Sequence, residues 1–183
     1  QQLLDSHLAV KAEAVAKGIY DVLNQQAPAL DFNEISHALQ QLQQQADEAQ
    51  KAQFKEIDAA GKAFLEANKQ KDGVKVTDSG LQYEVLVEGN GSVPSATDTV
   101  RVHYTGTLPD GTVFDSSVAR GQPAEFPVNG VIKGWIEALS MMPVGSKWRL
   151  AIPHELAYGE RGAGAAIPPF SPLVFEVELL DII

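Results

Sequence analysis

Apolar positions follow two different periods along this chain, and the change falls near residue 80. Before it they recur at three- and four-residue steps. Leu4, Leu8, Ala12, Val15, Ile19 and Val22 form one stripe, and Ile35, Leu39, Leu42, Ala46 and Ala49 form another. That spacing predicts two amphipathic helices. The first has no capping residue before Leu3 and Leu4, so the chain is expected to begin inside a helix, processed or truncated. Pro28 breaks it within residues 27–30, and Asp31 with Glu34 three residues on makes a capping box for the second. This second helix can run unbroken to about Asn68, roughly 55 Å at the usual rise per residue. Its stripe resumes one residue out of phase at Phe54, Ile57, Gly61 and Phe64. Residues 40–53 hold seven glutamines and no large apolar side chain besides Leu42. That stretch reads as a solvated helical spacer, with a glutamine-rich partner-binding tract as the other reading.

Beyond Gly80 the period becomes two. Leu81, Tyr83, Val85 and Val87 alternate with mostly polar neighbours, as do Val100, Val102 and Tyr104, then Trp148, Leu150 and Ile152, then Phe175, Val177 and Leu179. Half-buried strands are predicted there, with turns at Asn90-Gly91, Asp110-Gly111, Asn129-Gly130 and Val144-Gly145. One short helix is expected over residues 134–141, with Trp135 at its start. The fold class is therefore α+β: a helical arm over residues 1–71, a polar link over 72–79, and an antiparallel sheet wrapped around a short helix over 80–183.

Charge and composition narrow the chemistry. The net charge of -10 is spread over both parts: residues 1–79 carry 8 basic and 12 acidic groups, and residues 80–183 carry 6 and 12. Neither part offers the basic face that a phosphate backbone requires, so nucleic acid is excluded as a partner. No apolar run approaches the ~20 residues that a membrane-spanning helix needs. The absence of cysteine rules out disulfides, thiolate catalysis and cysteine-ligated zinc. His7, His37, His103 and His154 are scattered without metal-ligand spacing, so no metal and no cofactor are expected.

What remains is aromatic. Tyr104, Phe114, Phe126, Trp135, Tyr158 and Phe175 are interleaved with glycines and accompanied by one short acid, Asp115. A bowl of rings with a single carboxylate suits a small, rigid, amide-like ligand such as proline. A second carboxylate or a histidine at a telling spacing is missing. Asp115 therefore reads as a buried group that orients Tyr104 or pairs with Arg120, rather than as a general acid or base.

The blocks Val102-His103-Tyr104-Thr105-Gly106, Phe114-Asp115-Ser116-Ser117, Val131-Ile132-Lys133-Gly134-Trp135, Ala157-Tyr158-Gly159, Ile167-Pro168-Pro169 and Leu173-Val174-Phe175-Glu176-Val177 resemble, in order and in spacing, FKBP-type peptidyl-prolyl cis/trans isomerases. The likeness covers residues 80–183 almost continuously. The helical arm is similar to that of bacterial two-domain, Mip-like members, including the cytoplasmic kind of about this mass, through stretches such as Gly61-Lys62-Ala63-Phe64-Leu65.

The resemblance implies an isomerase of prolyl bonds that assists protein folding. Its reaction would use Tyr104, Phe114, Asp115, Trp135, Tyr158 and Phe175, with Trp135 as the floor of the pocket. Phe126, Val131, Ile132 and Ile167 would complete the substrate site, where the Ile132 N–H and the Tyr158 hydroxyl would hold substrate carbonyls. Ala124 and Ala163 stand where single-domain members often carry an aromatic residue and a histidine. Implied partners are unfolded or partly folded proteins with Xaa-Pro bonds, macrolides such as rapamycin and tacrolimus, and a second copy of the chain in a homodimer. The implied location is the cytoplasm, with the periplasm as the alternative. A non-catalytic chaperone holding proline segments in the same pocket is the rival reading.

Overall fold

The computed structural model describes residues 12–24 and 32–183. Contacts divide the chain into two units, Gln1–Gln53 and Phe54–Ile183. This division lies within the long helix, whereas the change of period puts it at residues 72–79.

In the first unit, helix α1 spans Ala12–Leu23. Of the apolar stripe expected there, Val15, Ile19 and Val22 are exposed, as are Tyr20 and Leu23. Leu4, Leu8, the break at residues 27–30 and the Asp31 cap lie outside the described residues. Helix α2 runs over Phe32–Asn68, 37 residues without interruption. Its glutamine-rich middle is exposed and holds itself together along its surface: Gln43 donates to Asp47 at 2.9 Å and Gln44 to Glu48 at 3.0 Å, both four residues apart.

In the second unit, the last turns of α2 present a half-buried face at Phe54, Ile57, Asp58, Gly61, Phe64, Leu65 and Asn68, which is the resumed stripe of the sequence. The end of the helix is held by a buried side chain from the sheet. Gln82, 4% exposed, donates to the Leu65 carbonyl at 2.9 Å and accepts from the Asn68 amide at 2.9 Å. The Leu65 carbonyl also accepts the Lys69 N–H at 3.0 Å, so Gln82 adds a second bond there and ties the last turn of the helix to the sheet.

Seven strands follow: β1 (Val74–Val76), β2 (Gln82–Val87), β3 (Thr99–Thr107), β4 (Val113–Ser116), β5 (Ala124–Pro127), β6 (Lys147–Ile152) and β7 (Leu173–Ile182). All pairs are antiparallel, in the order β1-β2-β6-β7-β3-β4, and β5 joins β3 on the same edge as β4. Two expectations need correction. Strand β1 lies inside the segment read as a polar link; its three residues are too few and too exposed to show alternation. A second short helix, α3 (Ser117–Arg120), begins at the end of the Phe114-Asp115-Ser116-Ser117 block, where the Ser116 hydroxyl accepts from the Ala119 N–H at 3.1 Å and Gly121 ends it in the left-handed region.

Alternation places Val100, Val102 and Tyr104 of β3 and Leu173, Phe175, Val177 and Leu179 of β7 on one buried face. Helix α4 (Lys133–Leu139) covers that face with Trp135, Ala138 and Leu139, all below 5% exposed. The other face is wet and crossed by ion pairs, such as Arg149 with Glu84 at 3.1 Å and with Glu176 at 2.8 Å.

Candidate active site

Strand β3 has a gap in its outer ladder. Its residues 99–102 pair with β5 and its residues 105–107 pair with β4, so Tyr104 faces no strand on that side. The fully buried Ser117 fills the gap: its hydroxyl accepts the Tyr104 N–H at 2.8 Å and donates to the Tyr104 carbonyl at 3.2 Å. Because Ser117 opens α3, the same bonds fix that helix against β3 and bring Arg120 to within 5.7 Å of the Tyr104 ring.

Tyr104 in turn meets Trp135, the third residue of α4. Their rings lie 5.3 Å apart at 86°, Phe126 meets Trp135 at 5.8 Å and 88°, and Phe175 meets it at 5.3 Å and 82°. Phe114 stands at 87° to Phe175, 5.5 Å away. Near-perpendicular contacts suit the quadrupoles of aromatic rings, so the five form a self-supporting wall. Gly106 makes room for it: a Cβ there would come within 2.6 Å of Phe114 and 2.7 Å of Phe175.

These rings enclose a cavity of about 460 Å³, lined by Tyr104, Phe114, Asp115, Phe126, Gly130, Val131, Ile132, Trp135, Tyr158 and Phe175. Nine of the ten residues singled out from the sequence surround it. Ile167 does not: it is 5% exposed and packs in the core, paired with Ala163 in a small antiparallel bridge. Gly130 lines the wall unforeseen, since a residue without a side chain gives no sequence signal beyond its turn. Ala124 and Ala163 pack against the core and are not among the lining residues.

Asp115 sits at the mouth with 41% of its side chain exposed, which corrects its reading as a buried carboxylate. It accepts from the Tyr104 hydroxyl and from Arg120, while Arg120 also donates to the Tyr104 oxygen at 3.0 Å. Partial burial pushes the Asp115 pKa up, but the bonds from Tyr104 and Arg120 outweigh it and hold the carboxyl below its ordinary value. Burial, then the bond to Asp115, raises Tyr104. The three groups therefore hold fixed charges and protons near neutrality: carboxylate, guanidinium and phenol.

Two further polar groups border the cavity without protein partners. Ile132 stands just before α4, its carbonyl accepting from Trp135 at 2.9 Å and Ile136 at 3.1 Å. Among the described residues its own N–H donates to no protein acceptor. The Tyr158 hydroxyl likewise has no partner there, on a side chain whose residue is 42% exposed. One apolar cavity with two unengaged donors can receive a ring and the carbonyls beside it.

The comparisons agree on one family. The pattern of FKBP-type peptidyl-prolyl cis-trans isomerases matches residues 91–180, and that of the domain amino terminal to FKBP-type peptidyl-prolyl isomerases matches residues 1–85. The chain is similar to the FKBP-type 22 kDa peptidyl-prolyl cis-trans isomerase of Escherichia coli, 59% identical over 100% of this chain and 89% of that one. It is also similar to the outer membrane protein MIP of Legionella longbeachae, 42% identical over 94% of this chain and 76% of that one. Among solved structures, FkpA from Escherichia coli superposes with a TM-score of 0.85 at 37% identity, over 99% of this chain and 86% of that one.

Proposed function

The chain belongs to the family of FKBP-type peptidyl-prolyl cis-trans isomerases, and we infer that the cavity of about 460 Å³ is where it turns prolyl bonds. It is an enzyme of protein folding that acts on proline-containing chains. The observation that supports this site is the set of perpendicular rings around Trp135, open at one side beside the unengaged Ile132 N–H and Tyr158 hydroxyl.

An Xaa-Pro bond crosses a barrier of about 18–20 kcal/mol, through a twisted form in which the amide loses its conjugation. No covalent bond is made or broken. The planar amide places negative charge on oxygen and positive charge on nitrogen, which water solvates well and aromatic walls solvate poorly. Entry of the prolyl ring between Tyr104, Phe114, Trp135 and Phe175 thus favours the twisted form. The Ile132 N–H and the Tyr158 hydroxyl fix the flanking carbonyls, so rotation is confined to one bond. A ~10⁵-fold acceleration requires about 7 kcal/mol, within reach of such complementarity. Asp115 acts by holding Tyr104 and Arg120 in place.

Val131 and Ile132 give the adjoining subsite an apolar character, which favours an apolar residue before proline. Protease-coupled or NMR exchange measurements on such peptides test the assignment. Catalysis lost when Trp135 is replaced by leucine supports it, and unchanged rates in that folded variant overturn it. Rapamycin and tacrolimus belong in the same cavity and should compete with peptide. The small Ala124 and Ala163 side chains should make them weaker ligands here than for single-domain relatives, by about one to a few kcal/mol; calorimetry measures this.

The exposed Ile19, Tyr20, Val22 and Leu23 of α1 support a role for residues 1–53 in pairing two copies and holding client chains, since such apolar surface usually marks an interface. Two weak sites in one dimer would then act together. Light scattering on the chain carrying Ile19→Glu and Val22→Glu should report a monomer if this is so.

A further inference from the structure

The geometry points to Phe170 as a positioning residue for the isomerisation, through which helix α2 holds the loop that carries Tyr158. The inference rests on the cavity being the reaction site. Residues 153–172 connect Ile152 of β6 to Leu173 of β7, which face each other in the sheet, so the loop leaves and returns at one point. Tyr158 reaches the cavity from this loop, and its hydroxyl has no protein partner among the described residues. Its position is therefore set by the backbone it hangs from.

That backbone is pinned one residue later, where the Phe170 N–H donates to the Gly159 carbonyl at 3.0 Å. Phe170 does so at φ 61°, the one non-glycine residue in the left-handed region among the described residues. A bulky side chain avoids that conformation unless its surroundings demand it. Here two demands meet. The amide must face Gly159, and the ring must lie between Phe54 of α2, 5.9 Å away, and His154 at the other stem of the loop, 5.4 Å away.

Helix α2 grips both stems. At the first, His154 Nε2 lies 3.5 Å from the buried Asp58 carboxylate oxygen, a packing contact without a hydrogen bond. At Gly61 the helix comes so close to the second stem that a Cβ would stand 2.7 Å from the Pro172 ring. A glycine in mid-helix costs stability relative to alanine, and this close approach accounts for it. A cavity of about 90 Å³ remains in the joint, which gives the stems room to shift once a tie is cut. The last turns of α2 thus serve the reaction, in addition to linking two parts of the chain.

The test is a set of variants of the full chain, assayed for kcat/KM on a short prolyl peptide alongside thermal unfolding. Phe170→Gly removes the ring and relieves the left-handed backbone. Phe54→Ala removes the helix side of the contact. Gly61→Ala strengthens the helix while prying it from Pro172, and Phe170→Tyr keeps the ring. The first three should each lower kcat/KM by about three- to tenfold, the scale of one lost packing or orienting contact, mainly through KM, while Phe170→Tyr stays near the parent. In a Tyr158→Phe background the losses from Phe54→Ala and Gly61→Ala should shrink below about twofold. A lowered melting temperature with unchanged kcat/KM overturns the proposal, as do equal losses in both backgrounds. A parent rate at background overturns the site reading and the proposal together, whereas an active parent indifferent to Phe170→Gly and Gly61→Ala overturns the proposal alone.

Discussion

Replacing Asp115 with alanine separates two roles for this carboxylate by magnitude. In the structure it accepts one bond from the Tyr104 hydroxyl and one from Arg120, and those two donors also touch each other at 3.0 Å. A hydrogen bond to a charged group contributes about 1.5–3 kcal/mol where water is excluded. With 41% of the Asp115 side chain exposed, water can replace it, and roughly 1 kcal/mol is the larger share that survives. The pairing with Arg120, whose side chain is 52% exposed, adds little. About 1 kcal/mol corresponds to a loss of roughly fivefold in kcat/KM. A general acid or base would contribute 10²–10⁴-fold. Exchange of a short Xaa-Pro peptide, followed by NMR or by a coupled protease, distinguishes the two ranges, with circular dichroism as the check on folding. A folded Asp115→Ala protein slowed by more than about a hundredfold would refute the assignment of Asp115 as an organising group.

The pH profile offers an independent check. The Asp115 carboxyl is depressed, so its contribution is present above the ordinary value near 4 and is lost as pH falls through the lower folded value; Tyr104 is raised, so its contribution is present below about 10 and is lost as pH rises through the folded value. Neither group should produce a limb in kcat/KM between about pH 5 and 9, and a limb there that vanishes in Asp115→Asn would contradict this. Gln82→Ala strips the end of α2 of its buried partner and should lower the unfolding free energy by about 1–3 kcal/mol in denaturant titrations; no change would mean that the helix end is satisfied otherwise. Because the cavity and its supports lie in Phe54–Ile183, residues 54–183 should keep the parent rate on short peptides while assisting proline-limited refolding of a whole protein less well. A fragment of residues 80–183, deprived of Phe54, Asp58 and Gly61, should be slower even on peptides. Equal losses by the 54–183 fragment in both assays would speak against a client-binding role for the first unit.

Much of this was legible because burial is one-sided. Strands β3 and β7 bury every second residue, and that periodicity is written in Val100, Val102 and Tyr104 and in Phe175, Val177 and Leu179. The half-buried face of α2 at Phe54, Ile57 and Gly61 is equally plain, since a helix repeats over several turns. Strand β1 and helix α3 span three and four residues and complete no period. Ile167 has the same apolar chemistry as Val131 and Ile132, and its place in the core belongs to a bridged loop that completes no period. The exposure of Asp115 depends on where α3 sends Arg120, and the meeting of Phe54 with Phe170 joins residues far apart in the sequence. Neither leaves a local pattern to read.

Strand β7 has a consequence for how each copy of the protein comes into being. Within the sheet it is the sole bridge between the β1-β2-β6 half and the β3-β4-β5 half, and of the seven strands it comes last in chain order. At a typical 5–20 residues per second, a nascent chain carries both halves for seconds before Leu173–Ile182 can join them. Phe175 arrives with that strand, so the ring contacts it makes with Phe114 and Trp135 cannot form before then. Until Leu173–Ile182 has been added, a growing copy of this folding catalyst lacks the strand that unites its sheet, and its two unjoined half-sheets offer open edges to whatever chaperone reaches them first.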